Sequence, residues 1–197
     1  MATALEWPDG ILPSTFDWSL SSNGTSFTSP WNGQTQAARF PGSAWNAAMT
    51  LNNLDDLESR HLEVMIVELD GLAGKIKLWD FGRDVATVYG SPKVTVGGQT
   101  GSNLATSGWT ANKTVLKKGD YFTVNDELKI VLRDVVSSAT GTATIPFGPQ
   151  LRNSPAPGAP LEVARPYAIF RLAKKKNGVG RQPGIVNNFS FEFVEAF

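Results

Sequence analysis

Residues Asn53 to Gly71 read NLDDLESRHLEVMIVELDG, and the rest of the chain is interpreted around this stretch. Its apolar residues recur at spacings of three, four and five, which places them together on one face of a helix over 54–70. Asn53 is predicted to cap the start of this helix, and Gly71 is predicted to supply the left-handed stop. A lone amphipathic helix has to bury its apolar face against another layer. The predicted face consists of Leu54, Leu57, Leu62, Met65, Ile66 and Leu69.

The sequence on either side of the helix alternates in the way half-buried strands do. Ala44 to Leu51 leads into the helix and Lys75 to Phe81 follows it, which predicts a strand–helix–strand unit. Phe16 to Leu20 alternates similarly, and the Asn23-Gly24 pair after it predicts a hairpin to the next strand. The side chains predicted to hold the sheet over the helix are Phe16, Trp18, Trp45, Trp79, Phe189, Phe191 and Phe193.

The composition changes at about residue 83, where Gly, Thr, Ser and Asn become frequent and the strands become short. This pattern is typical of a small all-β module. After a proline-rich connector at Ser154–Pro160, clear strands at Tyr167–Leu172 and Asn188–Phe193 are expected to complete the first sheet. The predicted fold is mainly β, a β-sandwich or barrel flanked by one α-helix. Its predicted parts are an N-terminal arm at 1–14, the sandwich at 15–82 plus 158–197, and a small all-β insert at 83–157.

The composition excludes several classes of protein. The 197 residues include 18 Lys plus Arg and 18 Asp plus Glu, so the formal net charge is zero, whereas dedicated nucleic-acid binders are basic. There is no cysteine, and therefore no disulfide, thiol nucleophile or thiolate metal ligand. The sequence shows neither a run of about 18 apolar residues nor a basic-then-apolar N-terminal signal. We therefore expect no membrane insertion, and synthesis in the cytoplasm.

Catalytic motifs are missing from the sequence. The single histidine, His61, lies inside the predicted helix without a catalytic partner pattern. The glycine-rich stretch Gly97–Gly101 is not followed by a helix, so it does not predict a phosphate cradle. Zinc-protease, P-loop and nucleophile-elbow motifs are also missing. The sequence therefore predicts no enzyme activity, no catalytic residue, no metal site and no cofactor.

Two surfaces of opposite charge are predicted. The loop 174–181 is basic, and the predicted helix is acidic. In a ring, one such surface can meet the other on a neighbouring subunit, although a solvated hairpin tip explains the basic loop equally well. The candidate subunit-interface residues are Lys174, Lys175, Lys176 and Arg181 of the loop, Asp55, Asp56 and Glu63 of the helix, and Trp7 of the arm.

Six tryptophans allow two interpretations. Tryptophan packs in cores and at subunit interfaces of β proteins, which is the favoured interpretation. Alternatively, exposed tryptophans form a platform that binds carbohydrate, and Trp31 and Trp109 are the candidates for that role. Exposure distinguishes the two, because a sugar platform has to be open to solvent.

Several short motifs, taken in order, resemble tail proteins of tailed bacteriophages. The motifs are Phe27–Gln36 (FTSPWNGQTQ), Pro41–Trp45 (PGSAW), Leu69–Gly71, Val96–Trp109, Leu116–Asp120, Pro149–Arg152 and Phe189–Phe197. Across 16–197 the chain is most similar to the distal tail protein of long-tailed, non-contractile phages.

The resemblance implies a tail-tube-like β-sandwich flanked by a helix and assembled into a hexameric ring. Such a ring joins the tail tube protein to the tail tip or baseplate hub proteins, and its lumen passes DNA without sequence-specific binding. The expected location is the virion tail tip after synthesis in the host cytoplasm, with no catalytic residues. Many members of this family carry an added domain that faces outward and sometimes binds sugars, and the resemblance implies that 83–157 is such an added domain. Other tube, tail-completion or minor tail roles remain alternatives.

Overall fold

The fold is mainly β, as the sequence predicts, with 47% of the chain in strands and 7% in helix. The computed structural model describes residues 4–40, 42–182 and 186–197. The elements in chain order are β1 (Leu5–Glu6), β2 (Thr15–Ser21), β3 (Gly24–Thr28), β4 (Thr35–Arg39), β5 (Ala44–Leu54), α1 (Asp56–Leu69), β6 (Ile76–Trp79), β7 (Gly90–Val94), β8 (Asn103–Trp109), β9 (Thr114–Leu116), β10 (Tyr121–Val124), β11 (Glu127–Val131), β12 (Val135–Val136), β13 (Thr142–Gly148), β14 (Tyr167–Leu172), β15 (Val179–Gln182) and β16 (Val186–Glu195).

The main sheet has the strand order β1-β6-β14-β16-β5-β2, and β15 pairs with β16 beside this path. The β1–β6 pair is parallel and the other pairs are antiparallel. Alternate residues of β5 are buried, as predicted, because successive side chains of a strand point to opposite faces. The core side chains that β5 and β16 contribute are Trp45, Ala47, Met49, Leu51, Leu54, Phe189, Phe191 and Phe193.

Helix α1 starts two residues later than predicted, and its cap is Asp55 rather than Asn53. The Asp55 carboxylate accepts a hydrogen bond from the Glu58 backbone N–H at 2.7 Å, and the Glu58 carboxylate accepts one from the Asp55 N–H at 3.0 Å. This reciprocal capping box satisfies two N–H groups at the helix start. The predicted stop at Gly71 is left-handed as expected (φ 63°), and Asp70 before it is also left-handed (φ 43°).

The buried face of α1 differs from the predicted one. Ser59, Leu62, Met65 and Leu69 are buried, whereas Leu57 is exposed and Ile66 is half-buried. Leu57 precedes Leu62 by five residues, and five residues turn a helix through about 500°, so the two side chains lie about 140° apart. Leu57 was therefore wrongly assigned to the buried face, because residues five apart do not lie on the same side of a helix.

Replacing Asp55 with alanine is expected to lower the free energy of unfolding by about 1 kcal/mol, because the Glu58 backbone N–H loses its acceptor. Urea unfolding followed by far-ultraviolet circular dichroism measures this. Asp56→Ala is the matched control, since the Asp56–Arg60 ion pair is exposed and such pairs contribute about 0.3–0.5 kcal/mol. Equal losses in both variants would contradict the capping role.

The prediction of an N-terminal arm at 1–14 is wrong for the described residues of that segment. Leu5 and Glu6 form β1 and pair in parallel with Ile76 and Lys77. Ile11 is buried in the main core. The segment lacks the alternation that marks a strand. The two residues of β1 and the buried side chains of Trp7 and Ile11 nevertheless anchor it to the main sheet.

The Asn23-Gly24 pair does not join two strands of one hairpin, contrary to the prediction. Strand β2 pairs with β5, and β3 pairs with β4 to form a separate two-stranded sheet. The chain therefore leaves the main sheet after Ser21, runs out and back as a β3–β4 hairpin, and re-enters the sheet at Ala44. The hairpin turn is the Ser29–Gln34 segment.

A second core lies between residues 94 and 163. Its five-stranded sheet has the order β10-β11-β13-β8-β7, with β9 and β12 paired beside it. Leu161 and Val163, placed by the sequence with the sandwich, pack into this second core, and Leu128 packs into the main core instead. Apolar contacts, not the change in composition at 83 and 157, decide which core each residue joins.

Tyr167 of β14 connects the two cores. Its hydroxyl donates to Asp126 Oδ1 at 2.9 Å, and its backbone N–H donates to Thr123 Oγ1 at 2.7 Å. Burial and the adjacent Asp126 carboxylate raise the pKa of Tyr167 to about 12.

The raised pKa of Tyr167 predicts a loss of stability at alkaline pH. Between pH 10 and 12 the unfolded tyrosine ionises while the folded one keeps its proton, so the folded state binds more protons and stability falls as pH rises. We expect the advantage of the wild type over Tyr167→Phe to be full below pH 10 and to shrink through this window. Denaturant midpoints at several pH values measure it, and Tyr89→Phe is the control. A constant difference would contradict the assignment.

Candidate functional site

The β3–β4 hairpin is the most exposed element of the described chain. Thr28 and Thr35 close its end through their hydroxyls at 3.0 Å. In the turn, the Gly33 N–H donates to Ser29 O at 3.0 Å, and Gly33 has a positive φ of 69° that glycine adopts without strain. The turn is therefore well formed and presents the side chain of Trp31 at its tip.

The two aromatic side chains of the hairpin strands share one face. Phe27 pairs with Gln36, and the Phe40 N–H donates to the Asn23 carbonyl, so the alternation places Phe27 and Phe40 on the same side. All five residues of β3 are exposed; Phe27 is 67% exposed, and Trp31 in the turn is 94% exposed. We call Phe27, Phe40 and the tip residue Trp31 the aromatic face. Exposed large apolar side chains collected on one element in this way are typical of interaction sites.

A second exposed apolar surface lies on α1, opposite its buried face. Leu57, Val64 and Val67 are exposed, Val67 to 77%, and their spacings of seven and three place them in one stripe. We call these three residues the outer stripe. Arg60 lies among them and pairs with Asp56 at 2.6 Å.

The charged interface candidates are largely paired within the chain. Arg181 forms an ion pair with Glu63, and Lys174 forms one with Glu192. The basic loop and the acidic helix therefore contact each other within one chain through the Arg181–Glu63 pair, whereas the sequence pattern placed this attraction between neighbouring subunits. Lys175 and Lys176 are exposed and make no ion pair with the described residues. Asp55 and Asp56 serve the cap and the Arg60 pair described above.

The candidate tryptophans occupy three different environments. Trp7 is 3% exposed, donates from Nε1 to Ile11 O at 2.8 Å and packs on Phe81, so it leaves no surface for a neighbouring subunit. Trp109 is 5% exposed and donates to Thr106 Oγ1 at 2.8 Å, so the prediction that it forms a sugar platform is wrong. Only Trp31 of the proposed pair is open to solvent.

A cleft of about 390 Å³ lies between the two cores. Arg83 stacks over the Tyr121 ring at 4.1 Å and pairs with Asp80 at 3.1 Å, while Arg165 stacks over Trp79 at 4.9 Å. Burial raises the pKa of Tyr121, against the opposing effect of the nearby Arg83. The two arginines therefore occupy the ring faces of Tyr121 and Trp79, on which a flat ligand would have to stack.

A buried network of four charges joins the two cores. Lys129 Nζ lies 2.7 Å from Glu127 Oε2, and Arg152 donates to Glu195 Oε1 at 2.5 Å. Glu195 also accepts from the Trp45 backbone N–H through Oε2 at 2.9 Å. Burial lowers the pKa of Lys129, against the opposing effect of Glu127. The two cations, Lys129 and Arg152, balance the two anions, Glu127 and Glu195, so that no charge is buried without a partner. Because Glu195 belongs to β16, the Arg152–Glu195 pair fixes the second core against this strand.

Sequence reasoning missed the aromatic face, the outer stripe and the charge network. The hairpin had one available signal: β3 and β4 contain few apolar residues and lack the alternation of a half-buried strand. The network had a weaker one, a lysine between two apolar residues at Leu128-Lys129-Ile130. Among the described residues, no group of three or more His, Asp or Glu side chains is placed to hold a metal ion.

Comparison with models of known protein families and with curated proteins finds no match for this chain. In the part of the chain that the structure describes, no helix has both the length and the apolar character needed to cross a membrane.

Proposed function

We propose that this chain is a structural, non-enzymatic component of a bacteriophage tail, a distal tail protein of a long-tailed phage. In this proposal it forms a hexameric ring between the tail tube and the tail tip or baseplate hub. DNA passes through the lumen of the ring without sequence-specific contacts, and the protein is located in the virion.

The single observation that carries the proposal is the exposed β3–β4 hairpin. A two-stranded hairpin without further support is marginal in water, and this one presents aromatic rings to solvent. Such an element is stabilised when a partner covers it. The motif Phe27–Gln36, which resembles phage tail proteins, forms most of this hairpin and its turn. The sheet covered by one helix is compatible with the tail-tube-like sandwich that the resemblance implies.

The proposal is tested by the solution mass of the purified protein, measured by light scattering on a size-exclusion column across a concentration series. We expect a hexamer, or a rise in mass towards one, and closed rings in negative-stain electron micrographs. Incubation with the tail tube protein of the same phage is expected to add stacked rings. A monomer at every concentration, with and without the tube protein, contradicts the ring.

The basic loop is tested separately as a contact between rings. Lys175→Glu with Lys176→Glu reverses two exposed charges without breaking the ion pairs of Lys174 and Arg181. If the loop contacts the tail tube or the hub, the variant is expected to form single rings that fail to stack. Normal stacking would exclude these two lysines from the contact.

A carbohydrate-binding role is the second candidate, and the exposure of Trp31 favours it. A single open tryptophan ring can stack on a sugar, and Asn32 and Gln34 beside it carry amide groups that hydrogen-bond to hydroxyls. A glycan array with the wild type and Trp31→Ala tests this role. Binding that disappears in the variant would support it, and an empty array would exclude it for the glycans displayed.

A further inference from the structure

Two apolar surfaces are left uncovered by the residues that the structure describes, the aromatic face of the hairpin and the outer stripe of α1. We propose that the aromatic face of one chain docks on the outer stripe of a second copy. This inference rests on the proposed ring and specifies the contact that builds it. The two surfaces belong to different elements, so the contact can repeat from chain to chain, and repeated heterologous contacts close into a ring or continue as a filament. A two-fold dimer in which the same contact is made reciprocally is the alternative, and the solution mass separates it from a ring.

The two surfaces have similar lengths. Phe40 lies opposite Asn23, four strand positions from Phe27, which corresponds to about 13 Å. The stripe extends ten residues along the helix from Leu57 to Val67, which corresponds to about 15 Å. A helix lying along the hairpin therefore brings both phenylalanine rings over the stripe. In the proposed contact the tip residue Trp31 packs on the same second copy just beyond the end of the stripe.

Charge favours this pairing over the symmetric one of helix against helix. Between 55 and 70 the chain has six acidic residues and one arginine, so two such helices repel each other. The segment 22–40 has no acidic residue, and its one charge is Arg39. Hairpin against helix therefore avoids the repulsion between two acidic helices, because the hairpin segment contains no acidic residue.

The area of a single contact is small. The three aromatic side chains offer roughly 300–500 Å² of exposed apolar surface, so one contact buries about 600–1,000 Å² in total when both partners are counted. Stable interfaces bury about 1,200 Å² or more. A dimer with one contact is therefore weak, while a closed ring gives every chain two contacts. We expect monomers and rings to coexist, with few intermediates.

Disulfide trapping tests the contact directly, because the chain has no cysteine of its own. Ala38→Cys lies on the aromatic face, since Ala38 pairs with Thr25, and Arg60→Cys lies within the outer stripe. The two variants are mixed at ring-forming concentration and oxidised. We expect a covalent dimer that contains one chain of each kind, because a disulfide requires Cα atoms within about 7 Å. Ala38→Cys mixed with the exposed Ser154→Cys is the matched control and is expected to remain uncrosslinked.

Two double variants measure the contributions of the aromatic face and of the outer stripe. Phe27→Thr with Trp31→Ser keeps residues suited to a strand and a turn, and Val64→Lys with Val67→Lys keeps good helix formers. Each double variant is expected to shift the concentration for ring formation upward by more than about 100-fold, as the loss of two interface anchors predicts. Because the four substituted side chains are exposed, the fold is expected to stay intact, and circular dichroism spectra that match the wild type check this.

The possible failures are distinguishable. Wild-type rings without the mixed disulfide, or with Ala38→Cys linked mainly to itself, overturn the hairpin–helix contact and leave the proposed function standing. Wild-type protein that remains monomeric at all concentrations, with and without the tube protein, overturns both. Rings that survive in both double variants overturn the contact even if a trace of disulfide forms.

Discussion

Glu195→Gln is expected to lower the free energy of unfolding by about 3 kcal/mol, one of the two largest effects of a single substitution in this chain. Glu195 is buried and accepts hydrogen bonds from Arg152 and from the Trp45 backbone. Glutamine keeps the shape but removes the charge, so the Arg152 guanidinium stays largely buried without its counter-ion. Removing one partner of a buried pair costs about 3–5 kcal/mol, and the retained amide oxygen places this variant at the lower end.

The same strand provides the matched control for Glu195. Glu192 pairs with Lys174 at the surface, and Glu192→Gln is expected to cost less than about 1 kcal/mol. Adding Arg152→Met to Glu195→Gln restores the balance of buried charge and is expected to recover part of the loss. Urea unfolding of the wild type and these three variants measures the differences. Equal effects at 192 and 195 would show that the network does not hold the cores together.

Phe191→Ala is expected to lower the free energy of unfolding by about 3–5 kcal/mol. Phe191 is buried in the centre of β16, with ring centroids 5.7 Å from both Phe189 and Phe193 and 6.4 Å from Trp7. Truncation leaves a cavity that this aromatic cluster cannot fill, because large rings on fixed strands relax little. Thermal and urea unfolding measure the loss.

Phe27→Ala is the control for Phe191→Ala. The same atoms are removed from the exposed hairpin, where surface substitutions change monomer stability by about 0.5 kcal/mol or less. For assembly of the proposed ring the order of the two variants is reversed, because Phe27→Ala removes a ring from the aromatic face and therefore weakens the contact between chains. A large loss of monomer stability in Phe27→Ala would show that the hairpin folds back onto its own chain.

Strand positions were predictable wherever burial on one face imposes an alternation. The strand Tyr167–Leu172 has the predicted bounds, and Trp45 to Leu51 alternates inward as expected. The helix was predictable in position because its acidic start and its glycine stop are local signals. Partner choice was not predictable. Asn23-Gly24 is a local turn signal, but β2 has a better partner in β5, which buries its aromatic side chains.

The candidate site was harder to predict, because exposure depends on the whole fold. Trp7, Trp31 and Trp109 have the same chemistry in the sequence, yet one is fully open and two are buried. Arg181 and Glu63 are 118 residues apart in sequence, so nothing local indicates that they pair within one chain. The charge network depends in the same way on strands that meet only in the folded protein.

The pairing of β5 with β16 has a consequence for biosynthesis. Trp45 and Glu195, which are hydrogen-bonded in the native sheet, are 150 residues apart. At 5–20 residues per second, β5 leaves the ribosome roughly 7–30 s before the central strand that completes its sheet. The second core contains adjacent strands such as β10 and β11 and can form during this interval. Nascent chains therefore carry an open, apolar β5 edge, and a high translation load is expected to drive them into aggregates unless chaperones cover that edge.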